Sequence, residues 1–113
     1  MNQAKLNTQL YQKMYVEQKL YRAGFLLMPP TEILNRAGEY VSRENILLSL
    51  ENNDLSSKQA LVLLNSSTPL ADIYQKLERE GGGTSMDRIW DAVEARANEV
   101  LRAKLIESRR DAR

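Results

Sequence analysis

The chain has 113 residues, 42% of them apolar and 27% charged, which is a composition typical of one small soluble globular domain. It contains no cysteine and no histidine. Disulfides, thiolate and imidazole catalysis, and metal sites built on these two residue types are therefore excluded. Sixteen basic and fifteen acidic side chains leave a net charge of +1, so the total charge predicts neither a nucleic-acid nor a membrane partner.

The first residues indicate a cytoplasmic protein. The segment Met1–Lys5 is polar and lacks the apolar core of a signal peptide. The longest apolar runs, such as Phe25–Met28, span about four or five residues, whereas a membrane span needs about 20. We therefore expect a cytoplasmic location and no membrane partner.

The first long helix is predicted from about Gln3 to Leu27. Apolar side chains recur there at steps of three and four residues, which is the helical period, with Glu17 as the one gap. Pro29 and Pro30 forbid continuation, because the residue before a proline is pushed out of the helical region. The predicted apolar stripe consists of Leu6, Leu10, Met14, Leu20, Tyr21 and Gly24.

A second long helix is predicted from about Thr31 to Glu51. Gly38 and Ser42 leave open a bend or a division into two pieces. The Asn-Asn-Asp sequence at residues 52–54 ends the helix. Its single predicted apolar face is made of Ile33, Leu34, Ala37, Tyr40, Val41, Leu47, Leu48 and Leu50.

Two short helices are predicted next. Ser56 and Gln59 have the spacing of a capping box and begin a helix that ends near Leu64. Thr68 in the N-cap position and Pro69 at the first helical position begin the following helix, which is predicted to run to about Arg79. The short connection between them indicates a pair of adjacent helices.

The triglycine Gly81–Gly83 is the clearest break in the chain. It predicts a flexible joint at residues 81–84, because glycines do not hold a helix. A last long helix then continues to about Ser108. No stretch alternates apolar and polar residues as a strand does. The predicted fold class is all-α: a single domain, residues 1–113, forming a compact bundle of about five helices (long, long, short, short, long) with no sheet.

Charge is distributed in blocks along the chain. Residues 1–28 and 96–113 each carry a net charge of +3, whereas residues 31–54 carry a net charge of −3. Three interpretations stay open: the blocks attract one another within the bundle, they form solvated faces, or the acidic block binds a basic partner. On the third interpretation, the candidate partner-binding residues are Glu32, Glu39, Glu44, Glu51 and Asp54.

The last predicted helix supplies basic candidates for binding a nucleic acid or a protein partner. A run of basic side chains can follow a phosphate backbone, although the interleaved glutamates favour ion pairs on a solvent face. A helix–turn–helix interpretation of residues 56–77 lacks the positive excess of a DNA-reading helix. The basic candidates are Arg96, Arg102, Lys104, Arg109 and Arg110.

Two tyrosines of the first helix are candidate interface aromatics. Tyr11 and Tyr15 are four residues apart, and exposed tyrosines are common anchors at protein interfaces. Packing of these rings against the last helix is the alternative. A homodimer also stays open, because the two long terminal helices carry more apolar surface than one small domain buries.

No group of residues has the spacing of a catalytic or cofactor site. Gly81–Gly83 lacks the following lysine and the preceding strand of a phosphate-binding loop. Asp87, Asp91 and Glu94 occupy adjacent helical positions, but no other chemically suited residue converges on them. We expect no enzymatic activity, no cofactor and no metal site.

Distinctive short segments are spread over nearly the whole chain: LNTQLY at 6–11, EQ at 17–18 with Tyr21, PPTEILN at 29–35, RENILLSLE at 43–51, NDLS at 53–56, TPLADI at 68–73 and RANE at 96–99. Together they resemble a family of small bacterial domains of unknown function, to which no catalytic residues are assigned. The triglycine departs from this family, whose linker is usually less rich in glycine, and this departure bears on how the last helix packs.

The resemblance implies a role on mobile genetic elements, because the family occurs in gut Firmicutes, largely on conjugative and other mobile elements. Small proteins of such elements often bind and block a host defence enzyme, and inhibitors of CRISPR nucleases are one such class. We therefore predict a protein-binding inhibitor, in its sharpest form an anti-CRISPR protein that binds a Cas9-type nuclease or its guide-RNA complex and blocks nucleic-acid binding or cleavage. The alternatives are a nucleic-acid-binding accessory or regulatory protein of conjugation and a homo-oligomeric interaction module.

Overall fold

The computed structural model describes the chain from residue 2 to residue 111, so the predicted domain limits at residues 1 and 113 lie outside the described residues. Within this range the chain forms five α-helices and one short 3₁₀ turn, and no strand. The predicted all-α bundle and the order of helix lengths are confirmed. No helix of the described range is both long and apolar enough to cross a lipid bilayer. The elements are α1 (Gln3–Gly24), the 3₁₀ turn (Phe25–Leu27), α2 (Pro30–Asn52), α3 (Ser57–Leu64), α4 (Pro69–Arg79) and α5 (Met86–Asp111).

One hydrophobic core joins all five helices. α1 packs on α2 and α3, and α5 packs on α3 and α4, so the short helices lie between the long ones. Each leucine or isoleucine buried there stabilises the fold by about 1.5–3 kcal/mol. Fully buried core side chains are Leu10 and Met14 of α1, Ile46 of α2, Leu63 of α3, Leu70 and Ile73 of α4, and Val93 of α5.

Local capping sets where the short helices begin and end. The predicted capping box of α3 is confirmed: the Gln59 N–H donates to Ser56 Oγ at 3.2 Å, and the Ser56 N–H donates to Gln59 Oε1 at 3.0 Å. α4 ends in a Schellman motif, in which the Gly82 N–H donates to the Leu77 carbonyl at 2.8 Å. Gly81 has a φ of +98°, which glycine adopts without a Cβ clash. The glycines after α4 therefore form a hydrogen-bonded turn that leads toward α5.

A buried asparagine holds the loop between α2 and α3 against α1. Asn7 Nδ2 donates to the Leu55 carbonyl, and Asn7 Oδ1 accepts from the Leu55 N–H, both at 2.9 Å. This reciprocal pair satisfies both backbone groups of a fully buried residue. Hydrophobic periodicity predicted no role for Asn7, because the periodicity counts only apolar side chains.

Glu17, the gap in the predicted stripe of α1, caps a different helix. Its carboxylate accepts the backbone N–H groups of Leu70 at 2.8 Å and Ala71 at 2.9 Å. These are free donors of the first turn of α4, where the helix dipole also favours a negative charge. Thr68 stands in the N-cap position as predicted, but its hydroxyl donates to Asp72. The α4 cap is therefore supplied by α1 and not by the residue that precedes the helix.

The same carboxylate lies beside a buried cation of α2. Arg43 Nη1 is 3.9 Å from the Glu17 carboxylate, and Arg43 Nη2 is 2.8 Å from that of Glu39. The guanidinium also lies 4.0 Å from the centre of the Tyr21 ring. Two carboxylates and one aromatic face thus compensate the charge of a side chain that is almost fully removed from water.

Parts of the predicted apolar faces are wrong. Leu20, assigned to the stripe of α1, is exposed. On α2, Leu34, Val41 and Leu48 are exposed, whereas Ile46 and its neighbours are buried. A helix turns by about 100° per residue, so Leu34, Val41 and Leu48 lie on the face of α2 opposite to Ile46. α2 therefore has two apolar faces, and the core covers one of them.

Replacing Glu17 by alanine is expected to lower the free energy of unfolding by about 2–4 kcal/mol, because the change removes two charge-assisted hydrogen bonds and a carboxylate beside buried Arg43. Denaturant unfolding followed by circular dichroism measures this loss. The matched control is Glu107→Ala on the exposed end of α5, which is expected to change stability by less than about 0.5 kcal/mol. Equal effects of the two variants would show that Glu17 does not cap α4 in solution.

Candidate functional site

The antiparallel helices α1 and α2 leave a groove between them. The Tyr11 side chain forms a hydrogen bond with Glu51. Gln18, which lies later in α1, forms one with Glu44, which lies earlier in α2. A depression of about 230 Å³ lies in this interface. Both aromatic candidates and two of the five acidic candidates share it. We call it the α1/α2 groove, and its lining includes Tyr11, Tyr15, Glu44, Leu48 and Glu51.

The two tyrosine rings form one wall of the groove. Their centroids are 6.3 Å apart and the ring planes differ by 23°, an offset stack between successive turns of α1. Tyr11 is half-buried, whereas Tyr15 is 48% exposed. Lys19 Nζ lies 5.5 Å from the centre of the Tyr15 ring. The Tyr15 ring thus already serves as a platform for a cation, which is attracted to its π face.

Two carboxylates of α2 stand on the other wall. Glu51 accepts a hydrogen bond from the Tyr11 hydroxyl at 2.6 Å, and Glu44 accepts one from Gln18 Nε2 at 3.1 Å. Both glutamates are exposed, and neither forms an ion pair with any residue in the described part of the chain. Each ionised carboxylate offers about four acceptor sites, so each keeps capacity for a further donor.

The hydrogen bond to Glu51 changes the acidity of Tyr11. Ionising the phenol would break this bond and place a second negative charge beside the carboxylate. The hydrogen bond to Glu51, followed by partial burial, raises the pKa of Tyr11 from 10.0 to about 12. Tyr11 is therefore a neutral donor that orients Glu51 at every physiological pH.

An exposed apolar strip of α2 continues from the groove. It consists of Leu34, Val41 and Leu48, which are 76%, 54% and 43% exposed. The three residues are seven apart and so lie on one face of the helix. We call this set the α2 apolar strip; its last residue, Leu48, lies in the groove between the two glutamates.

The other three acidic candidates are not brought into the groove. Glu32 pairs with Arg36 one turn away at 3.3 Å. Glu39 is engaged with the buried Arg43. Asp54 is exposed in the loop after α2. The predicted acidic strip is thus divided among an internal ion pair, a buried-cation contact, a loop and the groove.

The basic candidates fall into two groups. Arg96 faces the bundle, where its guanidinium pairs with Glu99 and lies 3.8 Å from Asp72 of α4. The pKa of Glu99 is lowered, first by the hydrogen bond from Arg96 and then by that from Lys76. Arg96 therefore fastens α5 to α4. The other basic candidates, Arg102, Lys104, Arg109 and Arg110, are exposed on the last turns of α5.

The residues of a helix–turn–helix interpretation are engaged within the bundle. Asp72 accepts a hydrogen bond from the Ser66 hydroxyl at 2.6 Å, and Lys76 Nζ pairs with Glu99 at 3.1 Å. These two polar side chains of α4, the second helix of that interpretation, thus hold α4 against its neighbours. This arrangement is that of an ordinary helical hairpin in a bundle.

A larger depression lies elsewhere, between α1, α2 and the first turn of α4. It has a volume of about 700 Å³ and a mainly apolar lining. Its charged side chains are already satisfied: Glu17 caps α4, Arg43 has two carboxylates beside it, and Lys13 Nζ donates to the Leu64 carbonyl at 2.7 Å. The α1/α2 groove, by contrast, contains two exposed carboxylates that form no ion pair with any described residue, so we place the candidate site in the groove.

Leu48 is the groove residue that the sequence prediction assigned elsewhere. Glu44 and Glu51 were named as acidic candidates, and Tyr11 and Tyr15 as interface candidates. Leu48 follows Glu44 by four residues and precedes Glu51 by three, so it shares a helical face with both. This spacing was the available signal, but hydrophobicity alone assigned Leu48 to the core.

The free energy of unfolding is expected to fall at high pH, and replacing Tyr11 by phenylalanine should make this fall smaller. The raised pKa means that the folded protein keeps a proton that the unfolded chain releases above about pH 10. The resulting contribution to stability is present below about pH 10 and is lost as the pH rises toward 12. Denaturant unfolding at about pH 9 and pH 11 should therefore show a steeper loss in the wild type than in Tyr11→Phe.

The control for this measurement is Tyr15→Phe, which removes a neighbouring phenol that makes no hydrogen bond to Glu51. Its pH profile is expected to follow that of the wild type. A Tyr11→Phe profile that also follows the wild type would contradict the bond between Tyr11 and Glu51.

Comparison with known proteins identifies a family but no activity. A family model described as "Protein of unknown function (DUF3848)" matches residues 6–101. Neither the curated proteins nor the solved structures contain a significant match to the chain. The matched range includes every residue of the α1/α2 groove and stops before Arg102, where the exposed end of α5 begins. Since the match covers most of its length, the chain belongs to the family of proteins of unknown function called DUF3848.

Proposed function

We propose that the chain is a non-catalytic protein-binding module whose α1/α2 groove receives a basic segment of a partner protein. The observation that carries this proposal is the pair Glu44 and Glu51, two exposed carboxylates that form no ion pair with any described side chain and flank an apolar and aromatic surface. Charged side chains that face the interior, such as Arg43 and Arg96, have partners in the bundle.

The groove fits the chemistry of a lysine or arginine side chain. Such side chains combine an apolar stem with a cationic head. The stem would pack on Leu48, and the head would reach a free carboxylate oxygen of Glu44 or Glu51. Tyr15 adds a π face that already attracts Lys19. Aromatic anchors supply much of the energy at protein interfaces, whereas exposed charge pairs mainly supply specificity and association rate.

In its sharper form, the proposal is that the partner is a Cas9-type nuclease or its guide-RNA complex. Such enzymes hold nucleic acid in a positively charged channel. An acidic and aromatic surface that occupies this channel would compete with nucleic acid, and the chain would act as an inhibitor of host defence encoded on a mobile element. The net charge of −3 in residues 31–54 supports this form, because it complements such a channel.

A second candidate function rests on the exposed end of α5. Arg102, Lys104, Arg109 and Arg110 are exposed and form no ion pair with any side chain that the structure describes, which supports an accessory nucleic-acid-binding role. The two proposals differ in salt dependence. Nucleic-acid binding through four phosphate contacts would give a logarithmic affinity slope of about −3 to −4 against salt, without any protein partner.

Reversing the two groove carboxylates is expected to weaken nuclease binding by about tenfold or more, because a cationic groove repels a basic partner. The variant is Glu44→Lys/Glu51→Lys. The tagged protein is used as bait in a lysate of bacteria that produce Cas9, with and without nuclease treatment, and the affinity is then measured with the purified guide complex. We expect a Cas9 band that survives nuclease treatment and is lost with the variant.

The matched control is Glu32→Lys/Asp54→Lys, which makes the same charge change at two acidic candidates outside the groove. It is expected to bind within about twofold of the wild type. Equal weakening by both variants would assign the effect to net charge and contradict groove binding. A band that disappears on nuclease treatment would favour the nucleic-acid alternative, and a bait that retains only itself would contradict the nuclease as partner.

A further inference from the structure

The end of α5 is an amphipathic segment that the bundle does not use. Residues 102–110 are all exposed, although they continue a helix whose earlier turns pack on α2, α3 and α4. Leu105 and Ile106 lie in this segment and are 53% and 56% exposed. Four basic side chains surround them, with Glu107 as the one acidic side chain of the segment. We call residues 102–110 the α5 end.

The spacing of charges on the α5 end matches that of the groove with opposite sign. Arg102 and Arg109 are seven residues apart, as Glu44 and Glu51 are. Seven residues of helix correspond to about 10 Å, and the two members of each pair lie on one helical face. Between the glutamates lies the apolar Leu48, and between the arginines lie the apolar residues Leu105 and Ile106.

We propose that the α5 end of one copy of the chain docks in the α1/α2 groove of a second copy, so that a self-associated form closes the groove. This inference rests on the proposed preference of the groove for a basic segment, and it names a competitor for that site. The charged side chains involved form no ion pairs within the described part of a single chain. A second copy therefore supplies partners that one copy lacks.

The fit holds for either direction of the docked helix. In the antiparallel arrangement, Arg102 faces Glu51, and Leu105 packs on Leu48. In the parallel arrangement, Arg102 faces Glu44, and Ile106 packs on Leu48. Both arrangements pair each guanidinium with one carboxylate and cover the exposed leucine. If each copy donates its α5 end to the other, a two-fold pair results in which both grooves are filled.

Closure of the groove by a second copy makes partner binding depend on concentration. A partner segment must displace the α5 end, so its apparent affinity falls as the chain self-associates. The α5 end lies beyond the range of the family match, which ends at residue 101. The groove and the segment proposed to close it therefore occupy different parts of the chain, and variants can separate them.

The test is a charge-swap experiment read by sedimentation equilibrium at protein concentrations up to about 1 mM and at low and high salt. We expect the wild type to dimerise, more strongly at low salt. Arg102→Glu/Arg109→Glu and Glu44→Arg/Glu51→Arg should each raise the dissociation constant by about tenfold or more, because like charges then face each other. The chain that combines all four changes should recover self-association, since each pair is restored with the signs exchanged.

The matched control is Lys58→Glu/Lys104→Glu, which makes the same charge change as the arginine variant. Lys58 is exposed on α3, and Lys104 lies on the opposite face of the α5 end from Arg102. This control should dimerise like the wild type. Circular dichroism of every variant should show unchanged helicity, because all the altered side chains are exposed.

A wild type that stays monomeric at every protein and salt concentration would overturn the inference. A variant with all four charge changes that fails to recover self-association would overturn it too. Partner binding distinguishes this failure from failure of the proposed function. Leu105→Ser/Ile106→Ser removes the apolar contact of the α5 end but keeps the groove and every basic side chain, so it should self-associate less and bind the guide complex at least as tightly as the wild type does. Its loss of nuclease binding would contradict the proposal that the α5 end is only a competitor for the groove.

Discussion

The arrangement of the helices depends on one carboxylate that replaces a local cap. Glu17 of α1 receives the free N–H groups of α4 and stands beside the buried Arg43 of α2. Three helices that are distant in sequence therefore meet at a single side chain. Because an uncompensated buried cation and uncapped amides are both costly, the positions of α1, α2 and α4 are coupled. The reciprocal hydrogen bonds between Asn7 and Leu55 hold the other end of α1 in a similar way.

These internal polar contacts explain why the candidate site lies where it does. The carboxylates and cations that organise the bundle are paired, so they offer little to a partner. Glu44 and Glu51 differ, since their hydrogen bonds come from neutral donors of α1 and leave negative charge exposed beside aromatic and apolar groups. Tyr11 contributes by keeping its proton and orienting one carboxylate. Hydrogen bonds from α1 thus hold the two carboxylates of the groove in place without neutralising their negative charge.

α5 shows how one type of side chain takes two roles along a single helix. Arg96 lies where the helix is packed, and it pairs with Glu99 and Asp72. Arg102 and Arg109 lie one or more turns later, where the helix has left the bundle and their charges stay exposed. The family match also ends at this transition. The packed part of α5 therefore lies within the range matched by the family, whereas the α5 end lies beyond that range and is exposed.

Composition, periodicity and turn residues determined the helical class, the number and order of the helices, and the capping box at Ser56, because these depend on neighbours within about one turn of helix. The same local signals wrongly predicted Leu34, Val41 and Leu48 to lie in the core, because hydrophobicity alone does not indicate which of two apolar helix faces packs against the other helices. Only the tertiary structure decided that α2 buries the face of Ile46, that Glu17 caps α4, and that Tyr11 meets Glu51. These outcomes join residues about 40 or more positions apart, and their physical cause is the close approach of helices, which no local pattern records.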